Sequence, residues 1–226
     1  GITWSTDGTK LFVTGSSGGI QKVFQYGFTT PFLVGQYDGN GSVEFNLEFN
    51  AMARDIEFNP DGTKMFVIDS GSIPGNIANV HEFELSTGFD IQTASKIISQ
   101  TGTTSSFSVL NEEVRARGLA FSNDGKKMFV VGEAGRDVNE YTLSTAFNVS
   151  TAVFIDSFSV ATEDTNPMSL KFNNDGSKMF IAGRSNKKVF EYSLSVNFDI
   201  SEAEYTGNSF EAPFQIFHKG RFNVLP

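Results

Sequence analysis

Apolar residues in this chain alternate with polar ones in short segments, and each segment is closed by turn residues. A period of two bounded by Gly, Pro, Asn and Asp predicts strands and almost no helix. The clearest segments are Leu11-Phe12-Val13, Met65-Phe66-Val67, Met128-Phe129-Val130 and Met179-Phe180-Ile181. In each, the Phe points to one face and its two neighbours to the other, so both faces of the strand are apolar. An Asp-Gly pair and a Lys precede every one of them: Asp7, Asp61, Asp124 and Asp175 stand 54, 63 and 51 residues apart. Self-similarity at such a period is the mark of a repeat architecture.

Aligned on these pairs, each unit reads as four strands. The first is expected at Ile2–Ser5, Ile56–Asn59, Leu119–Ser122 and Leu170–Asn173, with an apolar residue two places before an aromatic. Pro60 at the second position of Asn59-Pro60-Asp61-Gly62 and the Gly after each Asp suit a tight hairpin. The third strand carries Val23–Tyr26, Val80–Phe83, Val138–Tyr141 and Val189–Tyr192. A linker follows, Leu85-Ser-Thr-Gly-Phe89-Asp90-Ile91 and its counterparts ending at Val149 and Ile200, with Phe28–Phe32 as a degenerate copy. Its Ser, Thr, Asp and Asn predict a compact loop pinned by the Phe. The fourth strand, 153–160 in the third unit, is the least regular, as suits an outer edge.

A sandwich strand usually has one buried face, whereas a blade of a β-propeller is covered on both sides. The expected fold is therefore an all-β, single-domain propeller of four-stranded antiparallel blades. Its repeats span 1–53, 54–116, 117–167 and 168–213, and a partial fifth at 214–226 matches the first two strands of a unit. Four and a half units fit a five-bladed ring, an excerpt of a longer propeller, or two copies that complete each other.

The stretch Phe58-Asn59-Pro60-Asp61-Gly62-Thr63-Lys64-Met65-Phe66-Val67 resembles the Pro-Asp-Gly repeats of the WD40-like and YVTN-type β-propeller families. The Trp-Asp and Gly-His dipeptides of true WD40 repeats are missing, so their partner-binding rules do not transfer. The longer unit, with Thr93-Ala94 and Thr151-Ala152 after its linker, is similar to uncharacterised repeat proteins of marine bacteria and their phages. That resemblance implies an extracellular, cell-surface or virion location.

Charge and composition narrow the function. With 26 acidic and 17 basic residues the net charge is −9, and no basic run offsets it, which disfavours nucleic acid and anionic membrane as partners. Cysteine is absent, so neither disulfides nor thiolate metal sites are available. No apolar run approaches the roughly 20 residues that span a bilayer as a helix. The chain opens inside an expected strand without an initiator Met, which reads as a removed leader or a fragment of a longer protein.

Candidate chemistry is sparse. The two histidines, His81 and His218, do not recur between repeats and are read as packing or solvated groups rather than ligands or triad members. Asn173-Asn174-Asp175-Gly176 comes nearest to a calcium loop but reads as a plain turn. The lysines after each turn, Lys10, Lys64, Lys127 and Lys178, read as solvated edge residues. Asn40-Gly41-Ser42 and Asn148-Val149-Ser150 fit a glycosylation pattern that arises often by chance. Arg54, Arg115 and Arg117 precede the first strands of units two and three, and are expected in loops at the channel mouth. There a planar guanidinium fork binds carboxylates, phosphates or sugars, or else pairs with Glu112, Glu113 or Asp164. No catalytic residue, metal site or cofactor is predicted. The sequence points to a non-enzymatic recognition or structural module whose loops contact a glycan or protein surface, with self-association or a larger parent assembly as further partners. The alternatives are a hydrolase or lactonase with a site in the central channel, for which Thr3, Glu57, Ala120 and Lys171 offer a poor metal shell, and a purely architectural subunit.

Overall fold

The computed structural model describes residues 1–49, 51–71, 76–97 and 105–211. The partial fifth repeat at 214–226, with His218, lies outside the described residues. Among the described residues, seventeen strands form four antiparallel sheets, arranged in sequence order as the blades of a propeller. Blade 1 holds β1 (Ile2–Trp4), β2 (Lys10–Ser17), β3 (Ile20–Gly27) and β4 (Val43–Asn46). Blade 2 holds β5 (Met52–Phe58), β6 (Lys64–Gly71), β7 (Ile77–Leu85) and β8 (Ala94–Lys96), and the short β9 (Ser106–Ser108) also pairs with β7. Blade 3 is β10 (Ala116–Phe121), β11 (Lys127–Gly132), β12 (Asp137–Leu143) and β13 (Ala152–Ser159). Blade 4 is β14 (Pro167–Phe172), β15 (Lys178–Gly183), β16 (Lys188–Leu194) and β17 (Ala203–Glu211).

The Asp-Gly hairpins form as the sequence implies. Gly8, Gly62, Gly125 and Gly176 have φ between 69° and 74°, and each preceding Asp accepts the N–H two residues on, as Asp61 does from Thr63 at 2.9 Å. The linkers add a less expected feature: Phe89, Phe147 and Phe198 adopt φ of 53–56°, a left-handed conformation costly for a bulky side chain. Packing supplies the compensation. Each ring lies over the glycine of its own blade's Asp-Gly turn, where a Cβ would collide with it. Asp90, Asn148 and Asp199 then cap the short turn that follows by accepting N–H bonds at 3.0–3.1 Å from Gln92, Ser150 and Ser201.

Three buried clusters fill the three junctions between consecutive blades. Each is centred on the second-strand Phe, which enters an aromatic socket on the next blade. Phe12 meets Phe58 at 4.5 Å and Phe89 at 6.3 Å, and Phe66 meets Phe121 at 4.5 Å and Phe147 at 6.2 Å. Phe129 meets Phe172 at 4.6 Å. Offset, tilted rings at these separations add to the roughly 1.5–3 kcal/mol that burying such a side chain contributes.

One set of boundaries differs from expectation. β5, β10 and β14 begin four, three and three residues before the predicted first strands. A bulge explains the difference, because the register shifts between Ala53 and Asp55, between Ala116 and Gly118, and between Pro167 and Ser169. The extra residue breaks the alternation that marked the strand, while pairing continues beyond it.

Candidate functional site

The bulged residues are Arg54, Arg117 and Met168. Arg54 and Arg117 therefore lie within the innermost strands of blades 2 and 3 rather than in loops, and of the three predicted arginines Arg115 alone sits in a loop. A bulge re-aims its side chain, and here the Arg117 guanidinium meets an acid just after β11, Glu133, whose charge also reaches Arg54. Arg117 Nη2 lies 2.8 Å from Glu133 Oε1, and Arg115 Nη1 lies 3.4 Å from the same oxygen. Burial pulls the Arg54 guanidinium below its ordinary pKa, Arg117 adds to that effect, and Glu133 opposes it. Burial acts to raise the Glu133 carboxyl, but Arg117 and Arg115 outweigh it and hold the group below the usual carboxylate range. Three positive charges thus share one negative charge. The Nε atoms of both Arg54 and Arg117 are buried without a hydrogen-bond partner.

None of the acids expected to neutralise these arginines does so. Glu113 is fully buried and accepts N–H bonds from Arg115 at 2.6 Å, Ala134 at 3.2 Å and Gly135 at 2.9 Å. Asp164 repeats the device in blade 4, accepting from Asn166, Ser185 and Asn186 at 2.7–3.3 Å. Glu112 accepts the Tyr141 hydroxyl at 3.3 Å. These carboxylates pin the loops that carry the site. Glu133 was missed in the sequence because it lies outside the repeated strands and pairs with Arg115 and Arg117 only once β10 and β11 are joined.

Nearer the axis, Glu57 and Lys171 form an ion pair between blades 2 and 4. Asp55, almost fully buried, accepts from Ile56 N at 3.0 Å and from Leu119 N at 3.1 Å, and its burial raises the carboxyl pKa. Asp55 thus ties the inner strand of blade 2 to that of blade 3. Among the described residues no group of three or more His, Cys, Asp or Glu side chains is placed to hold a metal ion. Asn173 and Asp175 spend their oxygens on the N–H groups of Lys178 and Ser177, as in a plain turn.

His81 has a defined setting that the sequence did not reveal. Its Nε2 lies 2.9 Å from Asp69 Oδ2, and Phe49 of the preceding segment stacks on the ring at 4.5 Å. Both border a small cavity of about 100 Å³, lined also by Glu48, Glu82 and Lys96.

The repeated lysines are not simply solvated, which corrects the sequence reading. Lys10 Nζ donates to the Phe89 carbonyl of blade 2 at 2.8 Å, and Lys64 Nζ donates to the Phe147 carbonyl of blade 3 at 2.9 Å. Lys127 reaches Asp199 of blade 4 at 3.4 Å. The acidic or amide position of the third strand works beside them. Gln25, Glu82 and Glu140 accept the N–H groups of Ile91, Val149 and Ile200 at 3.0–3.1 Å, each across a junction. Every junction thus carries an aromatic knob, a lysine and a polar latch on the next blade's linker.

No family model matches the chain, and no curated protein sequence matches it either. Solved structures do. The periplasmic gluconolactonase of Pseudomonas aeruginosa superposes with a TM-score of 0.54 at 17% identity, covering 93% of this chain and 53% of its own. A putative 6-phosphogluconolactonase from Bacteroides uniformis gives 0.53 at 13% identity, covering 94% and 57%. The Cps50 (Swd1) β-propeller domain of Myceliophteria thermophila gives 0.56 at 12% identity, covering 93% and 57%. What is shared is the propeller fold. This chain spans a little over half the length of these structures.

Proposed function

We propose that this propeller is a recognition module that receives an acidic group of a glycan or protein partner at Arg54 and Arg117. The observation that carries the reading is the excess of guanidinium over carboxylate around Glu133, with both Nε donors buried and unpaired. A bidentate carboxylate, sulfate or phosphate would supply acceptors in the plane those donors define. Bulges hold the two arginines on inner strands, so their geometry is set by the sheet and little ordering is needed on binding. An extracellular, cell-surface or virion location agrees with such a role.

The test uses a uronic-acid oligosaccharide and a sulfated one as probes in calorimetric titration. The expected result is binding by the unaltered protein and a loss of roughly tenfold or more in Arg54→Ala/Arg117→Ala, the scale of a charge-assisted hydrogen bond. His81→Ala should bind as the parent does, and circular dichroism should show all variants folded. Unchanged affinity in the double arginine variant would remove the site. Chelator-sensitive turnover of a sugar lactone, the activity that the names of two structural neighbours suggest, would replace the reading with an enzymatic one.

A further inference from the structure

Bulges stand at equivalent places on three consecutive inner strands, and they do not carry the same chemistry. The register shift that skips Arg54 in β5 and Arg117 in β10 skips Met168 in β14. The strands are held in step at this level. Asp55, next to Arg54, accepts the N–H of Leu119 at 3.1 Å. β10 and β14 approach so closely that a Cβ on Gly118, next to Arg117, would lie 2.9 Å from the Cα of Ser169, next to Met168. Two arginines and a methionine thus occupy neighbouring positions at one end of the inner strands.

A second observation marks the same end. Among the described residues, four buried side-chain polar atoms lack a hydrogen-bond partner: Arg54 Nε, Arg117 Nε, Asn166 Oδ1 and Glu57 Oε1. Glu57 stands in the ion pair with Lys171, and the other three all lie at the start of β5, β10 and β14. Asn166 is fixed through its backbone, since its N–H donates to Asp164 at 2.7 Å and its carbonyl accepts from Arg184 at 2.9 Å. Its side-chain oxygen is left over. Buried polar atoms are paired with few exceptions, so three orphans gathered at one end of three adjoining strands are what a site for a ligand's own polar groups provides.

We infer that this end receives the carboxyl-terminal residue of a protein partner, one with an apolar side chain. The inference rests on the reading of Arg54 and Arg117 as an acid-binding pair and narrows it. What the three strands offer defines the occupant. The two guanidinium groups call for a carboxylate, the acceptor on Asn166 calls for an N–H, and Met168 supplies an adaptable apolar contact. A chain terminus carries a carboxylate, an amide N–H and a side chain on one carbon, so it meets all three at once. A uronic acid matches the arginines and Asn166 but brings no apolar group to Met168. A sulfate matches the arginines alone.

Calorimetric titration of the full chain with an acetylated tripeptide ending in leucine, and with analogues that each remove one group, tests this. One analogue has a carboxamide in place of the terminal carboxylate, one an ester oxygen in place of the terminal N–H, and one glycine in place of leucine. The leucine peptide is expected to bind tightest, with losses of roughly tenfold, fivefold and tenfold in that order. Arg54→Ala/Arg117→Ala should abolish the preference for carboxylate over carboxamide, Asn166→Ala that for amide over ester, and Met168→Ala that for leucine over glycine. The variants report separately, so misfolding of one, seen by circular dichroism, leaves the others to decide. Equal affinity for the leucine and glycine peptides, or preferences that survive these substitutions, would overturn the inference. Should the uronic or sulfated oligosaccharide then still bind through the two arginines, the acid-binding reading stands and only its narrowing fails. Should no acidic probe bind, both fall.

Discussion

The junction between blades 2 and 3 and the outer face of blade 4 are built from the same residue types and differ only in having a neighbour. Phe66, Lys64 and Glu82 meet Phe121, Phe147 and Val149; Phe66 and Val149 are fully buried there, and Phe121 and Phe147 are partly buried against them. Phe180, Lys178 and Glu191 have the same spacing and, among the described residues, no such partner. Local sequence therefore prepares a face for burial, and a second blade is what makes the preparation worth free energy. Repeat proteins follow this rule in general, since each unit's stability is largely a nearest-neighbour property.

The largest expected difference is between the two knobs. Phe66→Ala should lower unfolding free energy by about 3–5 kcal/mol, because a closed core cannot collapse around the void. Phe180→Ala should cost about 1 kcal/mol in urea unfolding, since the ring is only partly buried to begin with. Equal losses at both positions would show that the outer face of blade 4 is covered within the single chain.

The latch residues should separate next. Glu140→Ala leaves the buried Ile200 N–H without an acceptor and removes the partner of Lys127, at a cost of about 1–3 kcal/mol. Glu191→Ala removes only contacts within blade 4 and should leave the unfolding midpoint nearly unchanged.

The smallest effect should not distinguish the two regions at all. Hydrogen bonds from neighbouring Ser or Thr side chains and backbone N–H groups hold Asp7, Asp61, Asp124 and Asp175 below the ordinary aspartate value of 3.8. A carboxyl whose native pKa is depressed stabilises the fold above its unfolded pKa, and that contribution is lost as pH falls through the lower native value. Stability should therefore decline below about pH 4. Asp61→Asn and Asp175→Asn should each flatten that decline to a similar, small extent in pH-dependent thermal melts, because the turns form within single blades. A decline confined to one variant would mean that the turn senses its neighbouring blade.

Much of this was legible from alternation and turn chemistry. The four second strands, their Asp-Gly hairpins and the Phe-centred linkers are local patterns, and the structure places them as the sequence implies. The first strands were read as too short because Arg54, Arg117 and Met168 interrupt the period of two at bulges, where pairing goes on without alternation. Glu133 escaped notice since it follows β11 outside the repeated pattern, and only the pairing of β10 with β11 brings it to Arg115 and Arg117. Lys64 and Lys127 were taken for solvent-facing groups for the same reason: their acceptors lie 83 and 72 residues away. The outer face of blade 4 was equally invisible, as its residues follow the buried pattern and only the absence of a neighbour among the described residues sets it apart.

The latches that cross the junctions touch main-chain N–H groups, not the side chains beside them. Ile91, Val149 and Ile200 present the same peptide donor whatever residues surround them, so adjoining blades need no matched pairs beyond a small apolar residue and an aromatic ring. A unit copied in tandem would arrive already compatible with both of its new neighbours. Lengthening such an array asks for duplication alone, and its surface residues stay free to diverge afterwards.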